Sequence, residues 1–170
     1  ELTKQLMAIP SVTGTEAAAG NFLVSFLEGE DYRVVKQAVS EDRFNVLAYA
    51  GDSPKVVLCT HIDTVPPVLD VSEDDDALYG RGACDTSGIF AAMFAAAERL
   101  RADGIRNFAF LLLVGEETGG DGAKAANELD WTSDFVIVGE PTENKLARAQ
   151  KGTLLAELRA EGQAAHSGYP

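Results

Sequence analysis

His61 and Asp63 follow the apolar run Val56-Val57-Leu58-Cys59, Glu116 and Glu117 follow Phe108–Val114, and Glu140 follows Phe135–Val138. Asp85 stands after Gly80-Arg81-Gly82, just ahead of a helical pattern. In open α/β sheets ligands bind beyond the carboxyl ends of the strands, so parallel strands would carry all these groups to one edge. An imidazole and several carboxylates gathered there would repel one another and resist desolvation unless a cation compensated them. A nitrogen-plus-oxygen donor set suits zinc and tolerates cobalt or manganese. Asp63, two residues past His61, shares its face in an extended chain and is placed to orient the imidazole. Taken singly, each residue has a plainer reading. A strand-end histidine is often only polar, an adjacent acid pair often faces solvent, and an Asp before a helix is often a cap. Their joint order, most of them after an apolar strand, argues for a site.

The elements that must position these groups read as α/β. Leu2, Leu6 and Ile9 share a helical face that Pro10 ends. Thr13 and Glu16 have capping-box spacing, opening a helix that turns Phe22, Leu23, Phe26 and Leu27 inward. Strands are predicted near Arg33–Val39 and Asn45–Ala50. Val56–Cys59, apolar throughout, reads as a strand buried on both faces. Ile89, Phe90, Met93, Phe94, Ala97 and Leu100 fit a helix from about Thr86 to Leu100. Phe108–Val114 is a further strand, Gly119 to Leu129 holds a short helix, and Phe135–Val138 is another apolar strand. Strand and helix in alternation imply a mostly parallel sheet flanked by helices. The acidic run Glu73-Asp74-Asp75-Asp76 reads as an exposed turn. After Gly152 the pattern changes, and Thr153–Ala160 reads as a half-exposed strand. Residues 1–150 are therefore expected to form the catalytic domain and residues 151–170 to begin a second, incomplete one.

The 170 residues suffice for a real core, since a domain of that size hides roughly 70% of its unfolded surface. A net charge of -13 with no basic block excludes nucleic acid as a partner. No apolar run reaches the roughly 20 residues of a membrane span. The two cysteines, Cys59 and Cys84, make no disulfide framework and read as small buried hydrophobes. A cytoplasmic location is expected. Because the chain opens with Glu1 rather than Met, a removed signal peptide stays open as an alternative.

Thr60-His61-Ile62-Asp63-Thr64-Val65-Pro66, Gly80-Arg81-Gly82-Ala83-Cys84-Asp85, Gly115-Glu116-Glu117-Thr118 and Gly139-Glu140-Pro141-Thr142 resemble the signatures of one metallopeptidase family. It is the family of acetylornithine deacetylase, succinyl-diaminopimelate desuccinylase, aminoacylase and the glutamate-releasing carboxypeptidases. The likeness runs from Ile9-Pro10-Ser11-Val12 to Ala165-His166-Ser167-Gly168-Tyr169-Pro170. It implies a zinc-exopeptidase-like fold, with a smaller two-layer α/β lid beginning near Lys151 and used for a homodimer. It implies two zinc ions bridged by Asp85, with Glu117 and a distant histidine on one and His61 and Glu140 on the other. Glu116 is implied as the general base, and His166 as the lid histidine that reaches the oxyanion, from the partner subunit in dimeric members. Two departures stand out. Ser87 occupies a position where many members carry Lys, and the distant histidine ligand is not among these residues, whose histidines are His61 and His166. The implied activity is removal of the acyl group from an N-acyl amino acid by metal-activated water. The alternative is a dipeptidase or carboxypeptidase on a short peptide. From another class, a non-catalytic member would serve as scaffold or binding protein.

Overall fold

The order of elements along the chain is α1 (Leu2–Met7), α2 (Ala17–Gly29), β1 (Arg33–Ser40), β2 (Arg43–Tyr49), β3 (Val56–His61), β4 (Ser72–Glu73), β5 (Leu78–Tyr79), α3 (Ile89–Ala102), β6 (Phe108–Leu113), α4 (Asp121–Ala126) and β7 (Phe135–Val138). A wide helical turn over Ala83–Gly88 leads into α3. The structure, a computed structural model, describes residues 1–130, 132–152, 154, 156–166 and 168.

Five strands form one sheet in the order β1-β2-β6-β3-β7. β6, β3 and β7 run parallel, Leu58 standing between Phe110 and Ile137. β1 and β2 form an antiparallel hairpin on the β6 side, with Val46 opposite Leu112. The mixed α/β fold with its helix-flanked sheet therefore stands as the sequence predicts. The antiparallel run of β2 has a consequence at the site. Its first residue, Arg43, lies at the sheet edge where β6 ends.

β6 is buried at every position because it has a strand on each side and a layer on each face. On one face Phe110, Phe108, Leu58 and Val46 pack against Leu23 and Leu27 of α2 and Phe90 of α3. Tyr32, Phe94 and Phe110 interleave there, with Tyr32 and Phe110 centroids 5.5 Å apart. On the other face Leu47, Val57, Cys59, Leu111 and Leu113 meet Ala126 and Leu129 beside α4.

Several sequence expectations are corrected. β7 is as apolar as β3, yet its four residues are exposed, Phe135 at 68%, because it is the edge strand and no helix covers it among the described residues. Leu100 is exposed at the end of α3. Cys59 is buried but Cys84 is exposed, since it lies on the wide turn rather than in a strand. The acidic run is an exposed turn as expected: Asp74 accepts the Asp76 and Ala77 N–H groups between β4 and β5. No strand forms over 154 and 156–160, where the described residues are exposed and have no neighbouring strand. Thr153 and Leu155, the other residues of that expected strand, lie outside the described set.

Candidate functional site

β3 ends on His61, whose side chain is 1% exposed. Its Nδ1 lies 2.9 Å from the main-chain oxygen of Asp63. A carbonyl only accepts, so Nδ1 carries the proton and Nε2 is the atom free to ligate. Nε2 is 2.9 Å from Oδ1 of Asp85 and 3.9 Å from Oε2 of Glu116. Donor atoms of His61, Asp85 and Glu117 all fall within 4.8 Å of one another. Glu140, following β7, shares a cavity with His61, Glu116, Thr60 and Cys59. The sheet thus brings His61, Asp85, Glu116, Glu117 and Glu140 to one edge. Glu140 stands outside the tightest trio. His166 does not line this cavity; it is exposed, and its Nδ1 accepts the Gly168 N–H.

Asp63 meets His61 with both its main chain and its carboxylate, and it does more besides. Its Oδ1 is 3.5 Å from His61 Nδ1, so the main-chain oxygen rather than the carboxylate makes the closer contact with the ring. The carboxylate, 0% exposed, also accepts the Glu116 N–H at 3.0 Å, the Glu117 N–H at 3.1 Å and the Thr13 hydroxyl at 2.7 Å. Glu16 does not close a capping box with Thr13, and no side-chain cap bond opens α2. Its buried carboxylate takes Arg43 Nε at 2.8 Å and Nη2 at 2.7 Å, and the Gly115 N–H at 3.1 Å. Sequence reading missed Arg43 and gave Glu16 only a local role. The pairs span 27 and 99 residues, so no local spacing carries them.

The electrostatics describe a site short of positive charge. Burial raises the pKa of Glu117, and the charge of Asp85 adds to it against the lowering pull of His61. Burial likewise raises Glu140, with His61 opposing and Asp85, Glu116 and Glu117 adding. For His61, burial favours the neutral form, but its bond to Asp63 and the charges of Asp63, Asp85 and Glu140 prevail and lift it to about 9. Asp63 is the reverse case. Burial pushes its pKa up, and the bonds from His61, Thr13 and the two loop N–H groups bring it below the ordinary value. An imidazole nitrogen and crowded carboxylates are the donor set of a divalent cation, and these residues fit one.

Residues 57–162 match the model of peptidase family M20/M25/M40. The chain belongs to that family. The family is one of peptidases, and the donor atoms of His61, Asp85 and Glu117 form a group that could hold a metal ion. A probable carboxypeptidase of Aspergillus terreus is 43% identical over 188 residues, a match spanning 98% of this chain and 43% of that protein. A peptidase M20 domain-containing protein of Schizosaccharomyces pombe is 42% identical over 178 residues, spanning 99% of this chain and 44% of that one. The chain therefore covers less than half the length of these M20 relatives. Among solved structures, a tripeptidase from Staphylococcus aureus superposes with a TM-score of 0.66 at 26% identity, over 81% of this chain and 41% of that one. Human carnosine dipeptidase 1 gives the same TM-score at 20% identity, over 80% and 36%, a likeness of fold.

Proposed function

We propose that this chain supplies most of the metal centre and the general base of a peptidase that hydrolyses an amide bond in a short peptide. The observation that carries this reading is the convergence of His61, Asp85 and Glu117 within 4.8 Å, beside Glu116. His61, Asp85, Glu117 and Glu140 would hold the metal. Two zinc ions are the reading we favour, and Asp85, His61, Glu140 and Glu117 would be the residues of this chain that hold them. When bound, the metal supplies Lewis-acid polarisation of a carbonyl and lowers the pKa of water toward about 7.

The chain's own residues do the rest. Glu116 is 48% exposed, bonds Asp63 through its main chain and sets its carboxylate 3.9 Å from His61 Nε2, beside the site where it would accept a proton from the attacking water. As water oxygen joins the carbonyl carbon and the C–N bond breaks, that proton passes to the leaving nitrogen. Asp63 keeps the ring of His61 and the 115–117 turn in register. His166 is kept as the oxyanion donor, in a lid beginning near Lys151. In support, β7 is the last strand of the sheet among the described residues, and the described residues from 143 onward are exposed.

A peptide substrate takes precedence over the N-acyl amino acid expected from sequence, because the relatives carry carboxypeptidase names. The test is metal content and hydrolysis by the complete protein over dipeptides, C-terminally varied peptides and N-acyl amino acids. Metal-dependent release of an amino acid from peptides is the expected result. Faster turnover of N-acyl amino acids would restore the deacylase reading. Metal binding without hydrolysis of any of them would make the chain a scaffold or binding member.

A further inference from the structure

The turn that carries Glu116 and Glu117 is held by two buried carboxylates contributed by distant parts of the chain. Three consecutive main-chain N–H groups leave it. Gly115 donates to Glu16 at 3.1 Å, and Glu116 and Glu117 donate to Asp63 at 3.0 and 3.1 Å. Glu16 is 0% exposed and lies at the start of α2. It accepts from four donors in all: Gly14 N–H, Gly115 N–H, and Nε and Nη2 of Arg43. Arg43 in turn bonds Asp121 through Nη1.

We infer that Glu16, fixed by Arg43, is a positioning residue that sets where Glu116 and Glu117 point, an inference that rests on the roles given to those two residues above. A buried carboxylate clamped bidentately by a guanidinium has one geometry available to it. Its Oε1 therefore presents a fixed acceptor to Gly115, the residue at which β6 turns into the loop. Only an ionised carboxylate meets this demand. The side-chain amide of Gln has one acceptor oxygen and two N–H donors, so in Glu16→Gln the nitrogen would face the N–H groups it should accept. Gly115 would then lose its partner or Arg43 would swing wholly to Asp121. Either change releases the turn, while the residues that touch metal or substrate stay chemically intact.

The experiment compares the complete protein with Glu16→Gln, Glu16→Asp and Asp121→Asn. Glu16→Asp keeps the charge on Arg43 but withdraws the oxygen from Gly115, and it serves if Glu16→Gln does not fold. Asp121→Asn removes charge from the same network without touching a loop N–H, and it controls for lost stability. Amide hydrogen exchange at residues 115–117 is read in metal-free protein, alongside Zn2+ affinity, kcat and KM. Both Glu16 variants should speed exchange at 115–117 by about 10-fold or more. They should also weaken Zn2+ binding and lower kcat by about 10- to 100-fold, with KM near the wild-type value. Asp121→Asn should leave exchange at 115–117 and kcat within about twofold. The inference is overturned if the Glu16 variants change these quantities no more than Asp121→Asn does. If wild-type protein neither binds Zn2+ nor cleaves peptides, the functional reading fails, and the exchange comparison still decides whether Glu16 holds the turn.

Discussion

Nε2 of His61 and Oδ1 of Asp85 are 2.9 Å apart, and each of these atoms is one that a metal would take as a ligand. A cation entering between them replaces that direct contact and offsets the burial and carboxylate crowding that raise Glu117 and Glu140. Protein stripped by a chelator should therefore be less stable. Restoring Zn2+ at about 100 times its Kd should add about 2.7 kcal/mol. Thermal unfolding with and without Zn2+ checks this. Most of the gain should vanish in His61→Ala and Asp85→Asn, and an equal gain in all three proteins would place the metal elsewhere.

Glu116 and Glu117 are neighbours with different surroundings, one about half exposed, the other grouped with His61 and Asp85. Glu116→Gln should lower kcat by about 10²–10⁴ while Zn2+ stays bound, because an amide keeps the shape but takes no proton. Glu117→Gln should lose Zn2+ affinity. Metal content and kcat of the two single mutants decide the matter. The opposite pattern would exchange the two roles, and full activity in both would end the mechanism.

Gly115 has φ of +70°, and a Cβ there would run into the Asp121 carboxylate and crowd Arg43. Gly115→Ala should destabilise the fold by more than about 1 kcal/mol. It should also lower kcat, since the same backbone aims Glu116. Urea unfolding with parallel kinetics measures both, and a variant as stable and active as wild type would show that the turn tolerates displacement.

The sequence made the strands, the α/β alternation and the acids that follow the strands readable, because apolar runs and the residues after them are local signals. The support behind that edge was not readable. Thr13 and Glu16 obey the spacing of a helix cap, yet Asp63 takes the Thr13 hydroxyl and Arg43 takes Glu16. A partly buried guanidinium across the fold outcompetes the local option, and no short window of sequence contains both partners. β7 shows the other limit. Its composition matches that of β3, and only the order of pairing makes one central and the other an edge.

Arg43 also gives the fold a signature in acid. Its hydrogen bond to Asp121 lowers the pKa of that carboxylate below the ordinary 3.8, with burial opposing. A carboxylate depressed in the folded state contributes stability above 3.8 that is lost as pH falls through the lower folded value. Wild type should therefore be more stable than Asp121→Asn near neutral pH. The gap should narrow as the pH falls below 3.8 and through the lower folded value. Denaturant titrations across that range test it, and a gap that widens in acid would contradict the assignment.

Among the described residues the outer rim of β7 has no strand beside it, and Phe135, Val136, Ile137 and Val138 are 52–68% exposed. Unpaired backbone with apolar side chains templates the addition of foreign strands. Wherever this rim stays open, its hazard is colloidal: molecules should join rim to rim into growing sheets, faster at higher concentration. A single Val136→Lys, placing a charge in the middle of the rim, should slow that growth in light scattering without altering the Zn2+ affinity of a centre built on the strands' ends.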